Sequence, residues 1–232
     1  MADPSTTVRR LLDSADDVTL PTLTREELTS LGDAPVLAHR GDTQWWDDLA
    51  ADARQLVVQT AQRGLVARRL LTARPGQDEL FVADEVQVIL RARHEPSWLL
   101  VLREPGEIEQ ADVRVVVSGI DLHAHETAAA LIEIRVDGIY GHRLAASLTA
   151  VDAVLGWLLR PPAAGDATVG RTVEALTPAE VGTAVTHQRA ILIGTGATWQ
   201  RAFVDPAGTP AEPEPIDEAA LRKWIAQLMG ST

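Results

Sequence analysis

The 232-residue chain contains no cysteine. That absence excludes disulfides, thiolate zinc sites, iron–sulfur ligation and cysteine nucleophiles, and it fits a reducing compartment. Lysine is nearly missing as well: the basic residues are arginines apart from Lys223. Long hydrophobic runs are absent. No stretch approaches the roughly 18 continuous apolar residues of a spanning helix. Met1 to Arg10 has no apolar core of a signal peptide. A cytoplasmic chain with no membrane span is therefore expected. Positive charge is short too, with 33 acidic against 21 basic side chains and a formal net charge of -12. Duplex nucleic acid is not expected as a partner, because phosphate binding needs a basic footprint.

What is present is ordinary globular material, 46% hydrophobic and 23% charged. The length accommodates a real core. The sequence predicts a single α+β domain over 1–232. Its part at about 1–95 reads as helical, and its part at about 96–232 as sheet and helices.

Val8, Leu11 and Leu12 lie at helical spacing. Thr24-Arg25-Glu26-Glu27 is a capping box, with Leu28 and Leu31 as its stripe and Gly32 as its stop. The longest helix is predicted from about Thr43 to Arg63. Trp46, Leu49, Ala53, Leu56, Val57 and Thr60 form its stripe, and Gly64 ends it. Residues 79–93 fit a helix through Val82, Val86, Ile89 and Arg93, and a strand through Val86, Val88 and Leu90. The run's length and its end at Glu95-Pro96 favour helix.

Further on, Trp98–Leu102, Val113–His123 and Ala129–Val136 are rich in β-branched residues. Asp137-Gly138 is a hairpin turn leading into Ile139–Leu148. A helix is predicted from Thr149 to Pro161. Thr177-Pro178-Ala179-Glu180 reads as another helix start. Arg189–Gly194 and Thr198–Asp205 form a second hairpin, and a helix begins at Asp217. Two hairpin–helix units point to a mainly antiparallel sheet with helices against it.

Chemistry is sparse. Asp121, His123 and His125 alternate, so on a strand they share one face, and His142 can approach from the neighbouring hairpin. Histidine with carboxylate suits zinc, iron or manganese. The competing reading is a polar strand end. Gly194-Thr195-Gly196 lacks the helix and Gly-Lys-Ser/Thr of a phosphate loop. Asp47/Asp48 and Glu26/Glu27 are adjacent on helices, so they do not face one another. No catalytic residue and no cofactor are assigned. Trp45 and Trp46 stand about 100° apart on a helix: one fits the core stripe, and its neighbour is either partly buried against another element or exposed as an interface anchor. With Trp199 they are the candidate partner-binding residues.

Ala61-Gln62-Arg63-Gly64-Leu65-Val66, ending a helix, resembles an element near the start of the EspG-like, type VII secretion-associated chaperones of actinobacteria. Arg93-His94-Glu95-Pro96 after a second helix, then hairpins and helices, follow in the same order. The arginine-rich, lysine-poor composition agrees with a GC-rich actinobacterial source. The resemblance implies a cytosolic, non-enzymatic chaperone that binds the tip of a helical, aggregation-prone secretion substrate. It also implies a partner surface in the second half's sheet and terminal helix. Three functions stay open. One is a chaperone or adaptor for a helical partner. Another is an acidic immunity or assembly protein for a basic partner, favoured by net charge. The last is a metal enzyme at Asp121, His123 and His125. The sequence leaves the oligomeric state open.

Overall fold

The computed structural model describes residues 4–33, 35, 37, 40–73, 80–104, 115–122, 129–160, 168–180, 183–195 and 197–230. In chain order the elements are α1 (Pro4–Leu12), β1 (Asp17–Thr24), α2 (Arg25–Ser30), α3 (Arg40–Asp48), α4 (Ala51–Ala67), β2 (Leu71–Ala73), β3 (Leu80–Val82) and α5 (Asp84–His94). There follow β4 (Leu99–Arg103), β5 (Val115–Ile120), β6 (Ala129–Val136), β7 (Ile139–Ala146), α6 (Ser147–Leu158), β8 (Thr168–Glu180), β9 (Thr183–Thr195), β10 (Thr198–Phe203), β11 (Glu214–Pro215) and α7 (Glu218–Leu228). Nine described strands form one antiparallel sheet in the order β1-β7-β6-β5-β4-β8-β9-β10-β11. The α+β architecture and its two hairpin–helix units are as expected, with β6–β7 leading into α6 and β9–β10 leading towards α7.

Strand alternation gives the sheet two apolar faces. On one face Leu100, Leu102, Val117, Ile132, Val173 and Leu192 pack under α6 and α7, which contribute Val154, Leu155, Leu158, Leu221, Trp224 and Ile225. On the other, Leu20, Leu23, Leu131, Tyr140 and Leu144 meet Val8 of α1, Leu28 of α2, Leu65 of α4 and Ile89 of α5. A smaller cluster of Leu99, Val101 and Leu176 lies beside the second core, with Leu37 and Val116 against it.

Local signals are visible where the chain turns. Thr24 Oγ1 accepts from the Glu27 N–H, and the Glu27 carboxylate accepts from the Thr24 N–H, completing the capping box. Asp137 and Gly138 both carry positive φ, 49° and 74°, as a tight two-residue hairpin requires. The Asp217 side chain caps α7 by accepting from the Ala220 N–H.

Five expectations are corrected. The amino-terminal part is not wholly helical, because 17–24 is the edge strand β1. Its Pro21 lacks a ladder N–H, and the register shifts between Leu20 and Leu23, both tolerated at an edge. The helix predicted over 43–63 is two helices that break at Leu49-Ala50, and α4 runs through Gly64 to Ala67. With that break the buried stripe becomes Ala61 and Leu65, and Leu56 is 65% exposed. Thr177–Glu180 starts no helix: Thr177 and Pro178 pair with Val185 and Ala184, so the ladder with β9 overrides the local capping pattern. Within 79–93 the helix starts only at Asp84, after the short β3. The helix expected at Thr149 begins two residues earlier, at Ser147.

Gly194 sits under Trp199, and a methyl group added there would lie 2.6 Å from the indole ring. Gly194→Ala is expected to displace Trp199 and cost about 1–3 kcal/mol, as overpacking does. Urea denaturation checks this, and an unchanged midpoint would contradict it.

Candidate functional site

Arg93 follows Val86 and Ile89 on the sheet-facing stripe of α5, so the helix period carries a cation into the core. It meets carboxylates there from two directions. Its Nη2 lies 2.7 Å from Asp33 Oδ2, just beyond α2, and its Nη1 bonds Glu133 Oε2 on β6. Asp33 Oδ1 also pairs with His94 Nε2 at 2.9 Å. Glu133 stands opposite His142 in the β6–β7 register, and His142 Nε2 is 3.3 Å from Glu133 Oε2. The other ring nitrogen, Nδ1, is 2.9 Å from the Pro21 carbonyl, which only accepts, so Nδ1 carries a proton. Asp33, Glu133 and His142 are nearly inaccessible, and Arg93 keeps about 10% of its side-chain surface.

Arg93 and Glu133 hold each other ionised. Burial alone would raise the Glu133 carboxyl, but Arg93, aided by the His142 hydrogen bond, outweighs it and holds the group down to about 2. Burial would likewise lower Arg93, and Glu133 and Asp33 reverse that and raise it. Across the same face of the sheet, Glu174 is buried with Arg189 at 2.7 Å, Thr186 at 2.5 Å and Arg103 at 3.4 Å. Burial raises Glu174, but its hydrogen bonds and the two arginines bring it below its ordinary value.

Above the Arg93 network opens a cleft of about 350 Å³. Its walls are α2, the segment after it, α3 and Tyr140 of β7. Leu28, Pro35, Trp46 and Tyr140 supply apolar surface, and Thr29, Asp33, Arg93 and Asp47 supply polar edges. The Arg93 guanidinium sits 5.1 Å from the Tyr140 ring centre. Trp45 and Trp46 are half-buried, with ring centres 5.9 Å apart. Arg25 covers the Trp45 ring at 4.2 Å, and Arg54 approaches the Trp46 ring at 5.5 Å. The Arg25 N–H donates to the Gly138 carbonyl at 2.9 Å, which ties the start of α2 to the β6–β7 turn.

The sequence-predicted residues are distributed as follows. Trp46 lines the cleft and Trp45 lies beside it. Trp199 is not brought to them: it sits on the α6/α7 face, 5.8 Å from the Arg171 guanidinium. Asp121 is exposed just past β5, and His123 and His125 lie outside the described residues. His142 is not a neighbour of Asp121. The register places Ile120 opposite Ala129 and Ala129 opposite Ala146. His142 is thus four residues further along its strand, about 13 Å at strand rise. Among the described residues no group of three or more His, Asp or Glu is placed to hold a metal ion. Asp33 and Glu133 carried no signal as a site, and Asp47 stood out only as one of the adjacent pair Asp47/Asp48. Arg93 on an apolar stripe was the visible clue that a buried partner existed.

No protein-family model matches the chain, and comparison with curated proteins gives no match. No described helix is long and apolar enough to cross a membrane.

Glu133→Gln leaves Arg93 one carboxylate short in the interior and is expected to cost about 3–5 kcal/mol of stability. The wild-type pH dependence follows from the depressed carboxyl. The unfolded chain takes up this proton near 4.5, the folded chain only near 2. The stabilisation is therefore full above pH 4.5 and is lost as pH falls towards 2. Acid unfolding followed by circular dichroism should show that loss in the wild type and a shallower dependence in the variant. Parallel acid profiles for the two proteins would contradict this account.

Proposed function

We propose that this chain is a non-enzymatic, cytoplasmic protein-binding protein that engages its partner through the cleft beside Trp45 and Trp46. The observation that carries this reading is the contrast between the base of the cleft and its mouth. At the base Asp33 and Arg93 are paired to one another, and Arg93 again to Glu133. At the mouth stand two half-buried tryptophans. Tryptophan in a partly desolvated pocket is a preferred anchor of protein interfaces. A small polar substrate gains little from charges already satisfied, whereas an apolar or stacking side chain gains the whole aromatic wall.

The partner we put first is a helical protein received by a chaperone or adaptor, of the type VII secretion-substrate kind that the EspG-like resemblance implies. The antiparallel sheet backed by helices is compatible with that class. A specific observation favours the alternative of a basic partner for an acidic immunity or assembly protein. Asp47 and Asp48 are exposed next to the tryptophans on a chain of formal charge -12. Opposite potentials raise association rates and make them sensitive to salt.

Affinity purification of the tagged chain from its own host, in parallel with Trp46→Ala, tests the reading. A stoichiometric protein should accompany the wild type, and the variant should lose about tenfold or more of its affinity, the scale of a hot spot. Retention of the same protein by Trp46→Ala would remove the cleft from the interface. A chain that purifies alone with near-stoichiometric zinc or iron would replace this reading by the metal-enzyme alternative.

A further inference from the structure

The cleft has one carboxylate that its own network does not use. Asp33 is consumed by Arg93 and His94. Asp47, one residue beyond Trp46 on α3, lines the cleft, is exposed, and has no side-chain partner among the described residues. Its neighbour Asp48 is exposed and without one too. Among the described cations nearby, Arg54 spends its Nη2 on the Asp47 main-chain carbonyl at 2.8 Å, Arg25 pairs with Glu26, and Arg93 pairs with Asp33 and Glu133, which leaves the Asp47 carboxylate open.

The apolar walls argue for the shape of what meets that carboxylate. Leu28, Pro35 and Trp46 line the same cleft as Asp47. A long side chain with an aliphatic stem and a cationic head matches this combination of apolar wall and open carboxylate. Arginine matches better than lysine. Its guanidinium is planar, weakly hydrated and stacks on aromatic faces, and it meets a carboxylate with two parallel N–H groups. The site already uses this chemistry within the chain, with Arg25 on Trp45 and Arg93 against Tyr140.

We propose that the cleft accepts an arginine side chain presented by the partner protein, with its stem along Trp46 and its guanidinium on the Asp47 carboxylate. This deepens the protein-binding reading and rests on it. It assigns Asp47 as a specificity residue and Trp46 as the platform, and it gives the partner segment a required chemistry: a basic residue flanked by apolar ones. The chain's strong negative charge draws such a segment in from a distance, and the cleft selects among the basic segments that arrive.

The test uses the full chain and four alanine-based helical peptides, each labelled with fluorescein and alike except at one central position flanked by leucines. That position holds arginine, lysine, citrulline or glutamate. Citrulline keeps the shape of arginine and removes its charge. Binding is read by fluorescence anisotropy. The arginine peptide is expected to bind about tenfold more tightly than the citrulline peptide, the glutamate peptide weakest. Asp47→Asn should abolish the arginine–citrulline difference, and Glu212→Gln, an exposed acid on the segment before β11, should keep it. Trp46→Ala should weaken both the arginine and the citrulline peptide.

Equal binding of arginine and citrulline peptides overturns the arginine assignment, as does a preference that survives Asp47→Asn. If Trp46→Ala still weakens binding in that case, the cleft remains the partner site and only its chemistry is wrong. Binding indifferent to Trp46→Ala removes the protein-binding reading of the cleft itself. No binding of the arginine peptide at up to about 1 mM overturns the proposal outright.

Discussion

A single buried guanidinium organises this half of the molecule. Arg93 lies on the stripe of α5 that must face the sheet, and a lone cation in a protein interior is prohibitively costly. The fold meets that cost with two carboxylates from distant parts of the chain. Asp33 is 60 residues away in sequence and Glu133 is 40. Satisfying Arg93 therefore draws the end of α2, the end of α5 and the middle of β6 together. The cleft is the space left above that junction. Its walls are in place because the charges beneath them are.

The rest of the sheet follows a simpler logic. One apolar face is closed by α6 and α7, each arriving after a hairpin. The other is divided between the core under the amino-terminal helices and a stretch where charge returns at Glu174, Arg189 and Arg103. Among the described residues, the buried Glu133 and Glu174 on that face are each paired with arginine. The hairpin β6–β7 links the two halves. One set of its alternating positions places Ile132 under α6, and the other set places Glu133 and Tyr140 beneath the cleft. Its turn is held to α2 through Arg25 and Gly138.

Local signals were legible because they act within a few residues. The capping box at Thr24, the Asp137-Gly138 turn and the Asp217 cap all appear where the sequence places them. The helices expected after Thr149 and Asp217 are present as α6 and α7. Features set by distant partners were not legible in this way. β1 was hidden by Pro21, although Val18, Leu20 and Leu23 amid threonines carried a strand signal that an edge position reconciles with proline. The break at Leu49-Ala50 has neither glycine nor proline to announce it. Thr177–Glu180 has a good helix start and lies in a strand because β9 extends far enough to pair with it. For the candidate site, Trp46 was readable, Arg93 was read only as part of a helix stripe, and their meeting was not legible. That depends on Asp33, which has no local pattern at all.

The central claim is that paired buried charge holds the cleft in shape. Hydrogen exchange of the wild type and Asp33→Asn, read by mass spectrometry, tests it most directly, because asparagine keeps the size of the side chain and removes its charge. The account predicts faster exchange in Arg25–Ser30 and Asp84–His94, with the amides of Ser147–Leu158 and Glu218–Leu228 unchanged. Unaltered exchange in α2 and α5, or an equal acceleration across both faces of the sheet, would contradict it.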